Sequence, residues 1–119
     1  MTDAKTYSGG CHCGNVRYEV KTDLSATVVC NCSICQKTGW MLTFVPAADF
    51  KLLAGEDALT DYQFNQKRIH HVFCKTCGIR SFARGTAPGR AEMVAINVRC
   101  LDGVDPAAFT PRHVDGKSL

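Results

Sequence analysis

The chain has 119 residues, 45% hydrophobic and 21% charged, a balance that excludes a disordered tail and fits one domain of common size. Its formal charge of +3 points to an acidic partner only while every cysteine counts as neutral. Seven thiolates around two divalent ions carry three net negative charges and cancel that excess, so nucleic acid is not expected as a partner.

The opening residues 1–6 are polar throughout, unlike a secretory signal. No apolar run approaches the ~20 residues that span a membrane, so no membrane association is expected. The eight cysteines need a chemical explanation, either disulfides or metal. A reducing cytoplasm is the expected location, and there clustered cysteines usually bind metal.

Taken in chain order, Gly9-Gly10 reads as a turn leading into the first pair, Cys11-His12-Cys13. Residues 16–20 and 26–29 alternate or are rich in β-branched types and read as strands. The second group, Cys30-Asn31-Cys32-Ser33-Ile34-Cys35, follows. Ser33 to Gln36 has the capping-box form, which predicts a short helix from Ser33 toward Lys37. Strands are expected over 41–45, 68–73, 79–82 and 93–98, with turns at 55–57, at Gly85 with Pro88-Gly89, and at Asp102-Gly103. Asp105-Pro106 opens a last helical turn, with the aspartate as cap and the proline at the first helical position. The expected fold is mostly β with one or two short helical turns. It forms a single domain over 1–119 whose core covers about 8–102 between polar tails.

Cys74-Lys75-Thr76-Cys77-Gly78 is a Cys-x-x-Cys turn closed by glycine, a common zinc knuckle. With Cys11 and Cys13 it makes a four-thiolate set, the closed tetrahedral arrangement of structural zinc. The 60 residues between Cys13 and Cys74 become a loop clamped at its base, which ties metal binding to folding. A redox pair at Cys74 and Cys77 is the alternative, though nothing thioredoxin-like surrounds it.

Cys30, Cys32 and Cys35 can reach one ion with no evident fourth ligand nearby. Three protein ligands leave a position for water or substrate, as in catalytic zinc. Cys35 falls in the first helical turn, where a thiolate is favoured. The alternative is a closed structural site completed by Cys100 or a histidine. Cys100 itself reads as a small buried hydrophobe. His70 and His71 point to opposite faces of a strand: His71 is expected to be packed, and His70 to approach the metal side as an acid or base. His12 is expected to point outward. Lys37, Arg80 and Arg84 are candidate anchors for substrate carboxylates, and Trp40 with Phe44 for the walls of a small pocket. The bland reading of each is a solvated cation or a core ring.

The motifs over residues 8–18, 30–39, 73–78 and 97–102 occur in this order, and together they resemble the glutathione-dependent formaldehyde-activating enzyme family, which includes centromere protein V. The resemblance spans about 8–102. It implies a zinc-containing β-tent fold of small twisted antiparallel sheets. It implies a structural zinc on Cys11, Cys13, Cys74 and Cys77, and a second, active-site zinc on Cys30, Cys32 and Cys35. Two Zn²⁺ per chain are therefore expected, the second more labile because three thiolates hold it less firmly than four. The implied activity joins glutathione and formaldehyde as S-hydroxymethylglutathione, a carbon–sulfur lyase-class reaction with glutathione as the small-molecule partner. The competing reading is a non-catalytic zinc module in which both ions are structural.

Overall fold

The structure, a computed structural model, describes residues 4–63, 69–86 and 91–115. The strands are β1 (Lys5–Gly10), β2 (Arg17–Thr22), β3 (Val28–Cys30), β4 (Leu42–Pro46), β5 (Phe50–Ala54), β6 (Leu59–Tyr62), β7 (Ile69–Cys74), β8 (Phe82–Gly85), β9 (Met93–Asn97) and β10 (Arg112–Val114). The single α-helix among these residues is α1 (Ser33–Thr38), and the remaining helical pieces are three-residue 3₁₀ turns. The chain is thus mostly β, as expected.

β1, β2 and β5 form a three-stranded sheet. The other seven strands form a second sheet in the order β10-β3-β4-β9-β8-β7-β6. Every pair is antiparallel except β10 with β3, which is parallel, so the expectation of wholly antiparallel sheets needs that correction. Both β1, which begins at Lys5, and β10 lie partly or wholly outside the expected 8–102 core.

The alternation in β7, β8 and β9 sorts their side chains onto two faces. One face presents Val72, Phe82, Val94 and Ile96 to the main core, where they meet Val16, Tyr18 and Val20 beside β5. Tyr18, Phe50 and Phe82 join the two sheets, with ring centroids 4.7 to 5.8 Å apart, within the range where aromatic pairs attract. The opposite face carries Ala83 and Ala95, and these with Leu42, Trp40 and Cys35 make a second, smaller cluster under α1. The large sheet therefore separates two hydrophobic layers.

Local differences from the sequence reading have local causes. Gly9-Gly10 ends β1 instead of turning, and Gly10 serves close approach: a Cβ there would stand 2.1 Å from the Val16 carbonyl oxygen. The capping-box serine is the first helical residue, and Cys32 occupies the cap position with no side-chain bond. The stretch 79–81 is not strand, because its carbonyls serve elsewhere. Ile79 accepts from the Cys74 amide, Arg80 from the Asn97 side chain and Ser81 from the Asn97 amide. Asp105 does cap its turn, accepting from the Ala107 N–H at 3.0 Å with Pro106 next in line. Arg68 and Pro88-Gly89 lie outside the described residues.

Candidate metal centres

The β1–β2 hairpin closes through residues 11–16, so the first cysteine pair sits in a hairpin loop. The Cys11 amide donates to the Val16 carbonyl at 3.1 Å, and the Val16 amide donates back to Cys11 Sγ at 3.3 Å. Gly14, at φ 86°, supplies the left-handed residue this tight loop needs. Of the second pair, Cys74 ends β7 and Cys77 lies in the turn that follows. The Gly78 amide donates to the Cys74 carbonyl at 2.8 Å and the Thr76 amide to Cys74 Sγ at 3.4 Å. Asn15 donates to Thr76 Oγ1 at 3.4 Å and links the two loops.

These loops bring together four sulfurs, of Cys11, Cys13, Cys74 and Cys77, all within 4.8 Å of one another. Cys13 Sγ lies 3.6 Å from both Cys11 Sγ and Cys74 Sγ. Zn–S bonds of ~2.3 Å in a tetrahedron put sulfurs about 3.8 Å apart, whereas a disulfide needs about 2.05 Å. The spacing and the all-thiol donor set therefore fit a closed metal site. Backbone amides favour its thiolates. The Cys13 amide brings the Cys77 thiol down to about 6, and the Cys77 amide holds Cys74 below the usual thiol range. Cys13 goes up to about 12: the Asn15 amide lowers it, but burial and the three neighbouring sulfurs prevail. Four thiols cannot all ionise side by side without a cation between them.

The second group is built differently. Cys30 ends β3, Cys32 is the residue before α1 and Cys35 lies inside it. Their sulfurs also lie within 4.8 Å of one another, and the Cys32 amide donates to Cys30 Sγ at 3.4 Å. Burial raises the Cys32 thiol, yet the amides of Cys35 and Ile34 and the two neighbouring thiols outweigh it and leave Cys32 lowered. Burial takes Cys35 up to about 12 against the Trp40 indole N–H, which acts the other way. Among the described residues no fourth Cys, His, Asp or Glu joins this group. Cys100, weighed above as a possible fourth ligand, lies by the other centre: its Sγ is 3.8 Å from the Arg80 carbonyl, and Cys11 and Cys77 raise its pKa after burial does. β10 braces the group from outside. The Asn31 amide donates to the Val114 carbonyl at 3.2 Å, and its side chain donates to Asp115 at 2.9 Å.

A cavity of about 680 Å³ opens beside α1 and is lined by Ser33, Ile34, Lys37, Trp40, Ile79 and Arg80 among others. It runs from the helix carrying Cys35 to the residues just after Cys77. Arg80 lies 5.0 Å above the Phe73 ring, and its Nη1 is buried with no hydrogen-bond partner. Arg84 stands instead over Phe82 and lines a different cavity. Phe44 is 55% exposed and walls neither cavity.

Of the two strand histidines, His71 is packed as expected and His70 does not approach the second group. His70 bonds Asp61 through Nδ1 at 2.6 Å, away from the second group. His71 is buried, as expected, but under Trp40, with ring centroids 6.3 Å apart. Burial and then Arg80 hold its pKa below the ordinary value. His12 and His113 are exposed. Tyr62 went unmarked in the sequence and Asn97 appeared only within the 97–102 motif with no site role; both also line the cavity, where the pairing of β6 with β7 and of β9 with β8 brings them.

A family model described as glutathione-dependent formaldehyde-activating enzyme matches residues 6–114. Among solved structures, the crystal structure of a Rhodobacter sphaeroides protein is similar at a TM-score of 0.80 and 31% sequence identity, covering 90% of this chain and 98% of that one. No helix among the described residues is long and apolar enough to cross a membrane.

Proposed function

We propose that this chain, which belongs to the glutathione-dependent formaldehyde-activating enzyme family, is a zinc-dependent carbon–sulfur lyase-like enzyme acting on a small thiol and an aldehyde, such as glutathione and formaldehyde. The observation that carries this reading is the three-thiol group with no fourth ligand among the described residues, set beside a cavity with two cations. Cys30, Cys32 and Cys35 would hold the ion of the open site, and Cys11, Cys13, Cys74 and Cys77 the structural one. An open zinc site supplies Lewis acidity, which lowers the pKa of a thiol or polarises a carbonyl.

The chain's own residues do the positioning. Lys37 and Arg80 bring two positive charges to one cavity, a match for the carboxylates of a peptide-like thiol. Ile34, Trp40 and Ile79 give the same cavity apolar walls that exclude water. The reaction joins the thiol sulfur to the aldehyde carbon while the thiol proton passes to the carbonyl oxygen, so no oxidant or reductant takes part. None of the eight cysteines is in a disulfide, in keeping with a reducing setting.

The test measures zinc per chain by native mass spectrometry, then follows ¹³C-formaldehyde and glutathione by NMR with and without the protein. Two ions and faster adduct formation that Cys32→Ser abolishes are expected. Two ions with no acceleration would favour the purely structural module, and a single ion with Cys30, Cys32 and Cys35 freely alkylated would end the two-site reading.

A further inference from the structure

Trp40 is the chain's single tryptophan. It follows Gly39, whose left-handed φ of 67° ends α1 and turns the chain back beneath the helix. The ring is 3% exposed and packs in the small cluster with Cys35, Leu42, Ala83 and Ala95, while another part of it lines the cavity. Its Nε1 is buried with no hydrogen-bond partner at ordinary length. A buried donor left unpaired costs about 1–3 kcal/mol, so an apolar ring of the same shape would pack more favourably here. Among the buried side chains of that cluster, the one that offers an acceptor is Cys35, through its sulfur. His71 backs the ring from the sheet side and Ala83 lies opposite it in the strand pairing, so the indole is wedged between sheet and helix.

We infer that Trp40 is a positioning residue of the open centre: its indole N–H donates to the Cys35 thiolate once that sulfur is a metal ligand, while its ring walls the cavity. The inference rests on the reading of Cys30, Cys32 and Cys35 as ligands. An N–H···S bond draws charge off the sulfur, so three thiolates would neutralise a bound ion less completely. It also fixes one ligand from outside the coordination sphere, as hydrogen-bonded partners of metal ligands do. Cys30 and Cys32 are only partly buried against the same cluster, whereas Cys35 is inside it with the indole, which makes Cys35 the anchored ligand of the three.

One tryptophan means one indole N–H cross-peak, and this permits a direct test. The full chain is loaded with ¹¹³Cd²⁺, first at one equivalent and then at two, with ion count checked by native mass spectrometry. Filling the second site should move the indole proton downfield and couple it to one cadmium only. Replacing Trp40 with 3-benzothienylalanine, which keeps the ring shape but lacks the donor, should weaken the second ion by about tenfold to a hundredfold. The first ion and the thermal transition should remain, and Trp40→Phe should show the same split. Two bound ions with an unmoved cross-peak, or an isostere that binds the second ion within about twofold of wild type, overturns the inference and leaves the metal reading standing. A single bound ion in the wild-type chain overturns both.

Discussion

The two cysteine groups use the same donor atom and nearly the same spacing, yet they stand in opposite relations to the fold. The first draws its sulfurs from two segments separated by about half of the chain, the β1–β2 hairpin loop and the end of β7 with its following turn, joined by the contact of Cys13 with Cys74. The second is contained in six consecutive residues around the start of α1. A set collected from distant segments has to meet the loop-closure cost before any ligand can meet its partner. A metal ion held there would act as a fold element, because only the folded chain presents the site. A local set forms with little help from the rest of the chain, so an ion held there would come and go more readily. The first group also abuts the main core through Cys11 and Cys74, whereas the second rests on the small cluster across the sheet.

The widest separation should come from ligand loss. Cys77→Ser breaks the closed set, and binding energies of structural zinc on the order of 10–16 kcal/mol rival the whole stability of a domain this size. Loss of the cooperative thermal transition is expected, read by circular dichroism. Cys32→Ser should lose one ion by mass spectrometry and keep its transition. If both variants unfold, or neither does, the contrast between the centres fails.

A smaller effect belongs to the cavity that joins the two regions. Arg80→Ala should weaken glutathione binding about tenfold, the worth of one charge-assisted bond, with both ions retained. Calorimetry on the zinc-loaded protein reads both quantities, and unchanged affinity would remove Arg80 from the ligand site.

The slightest change should come from His71. Its folded pKa is lowered by burial and by Arg80, so the folded chain prefers the neutral ring. The stability this gives is complete above the unfolded value of about 6.5 and is lost as pH falls through the folded value. His71→Gln should therefore flatten part of the decline in denaturation midpoint below about pH 6.5, relative to wild type. An identical decline in both proteins would mean that another group carries it.

Much of the candidate site was legible because its chemistry is written in spacing. Cys74-x-x-Cys77-Gly78 and the triplet from Cys30 to Cys35 need only local backbone to bring sulfurs together, and Asp105-Pro106 likewise caps its own turn. What escaped depends on partners far along the chain. β10 reads as a polar tail, since three exposed or half-exposed residues carry no periodic signal, yet Val114 lies opposite Cys30. The strand at 69–74 was readable, and that its two histidines face opposite ways was too. Which of them lies toward the second centre was not, because that depends on which face of the large sheet α1 and Trp40 cover.

The sequence by itself therefore determined the donor chemistry: seven cysteines in three short motifs, the turns that aim their sulfurs, and a mostly β chain to carry them. It also pointed to Cys11 and Cys13 meeting Cys74 and Cys77 with the other three apart, and the structure brings the sulfurs together in those groups. Tertiary structure alone set Cys100 beside the four-thiol group and put Trp40, Lys37 and Arg80 around one cavity. The reason is physical. Spacing of two to five residues is governed by local backbone geometry, whereas the company a side chain keeps across a sheet is set by strand order, and no short window of sequence contains that.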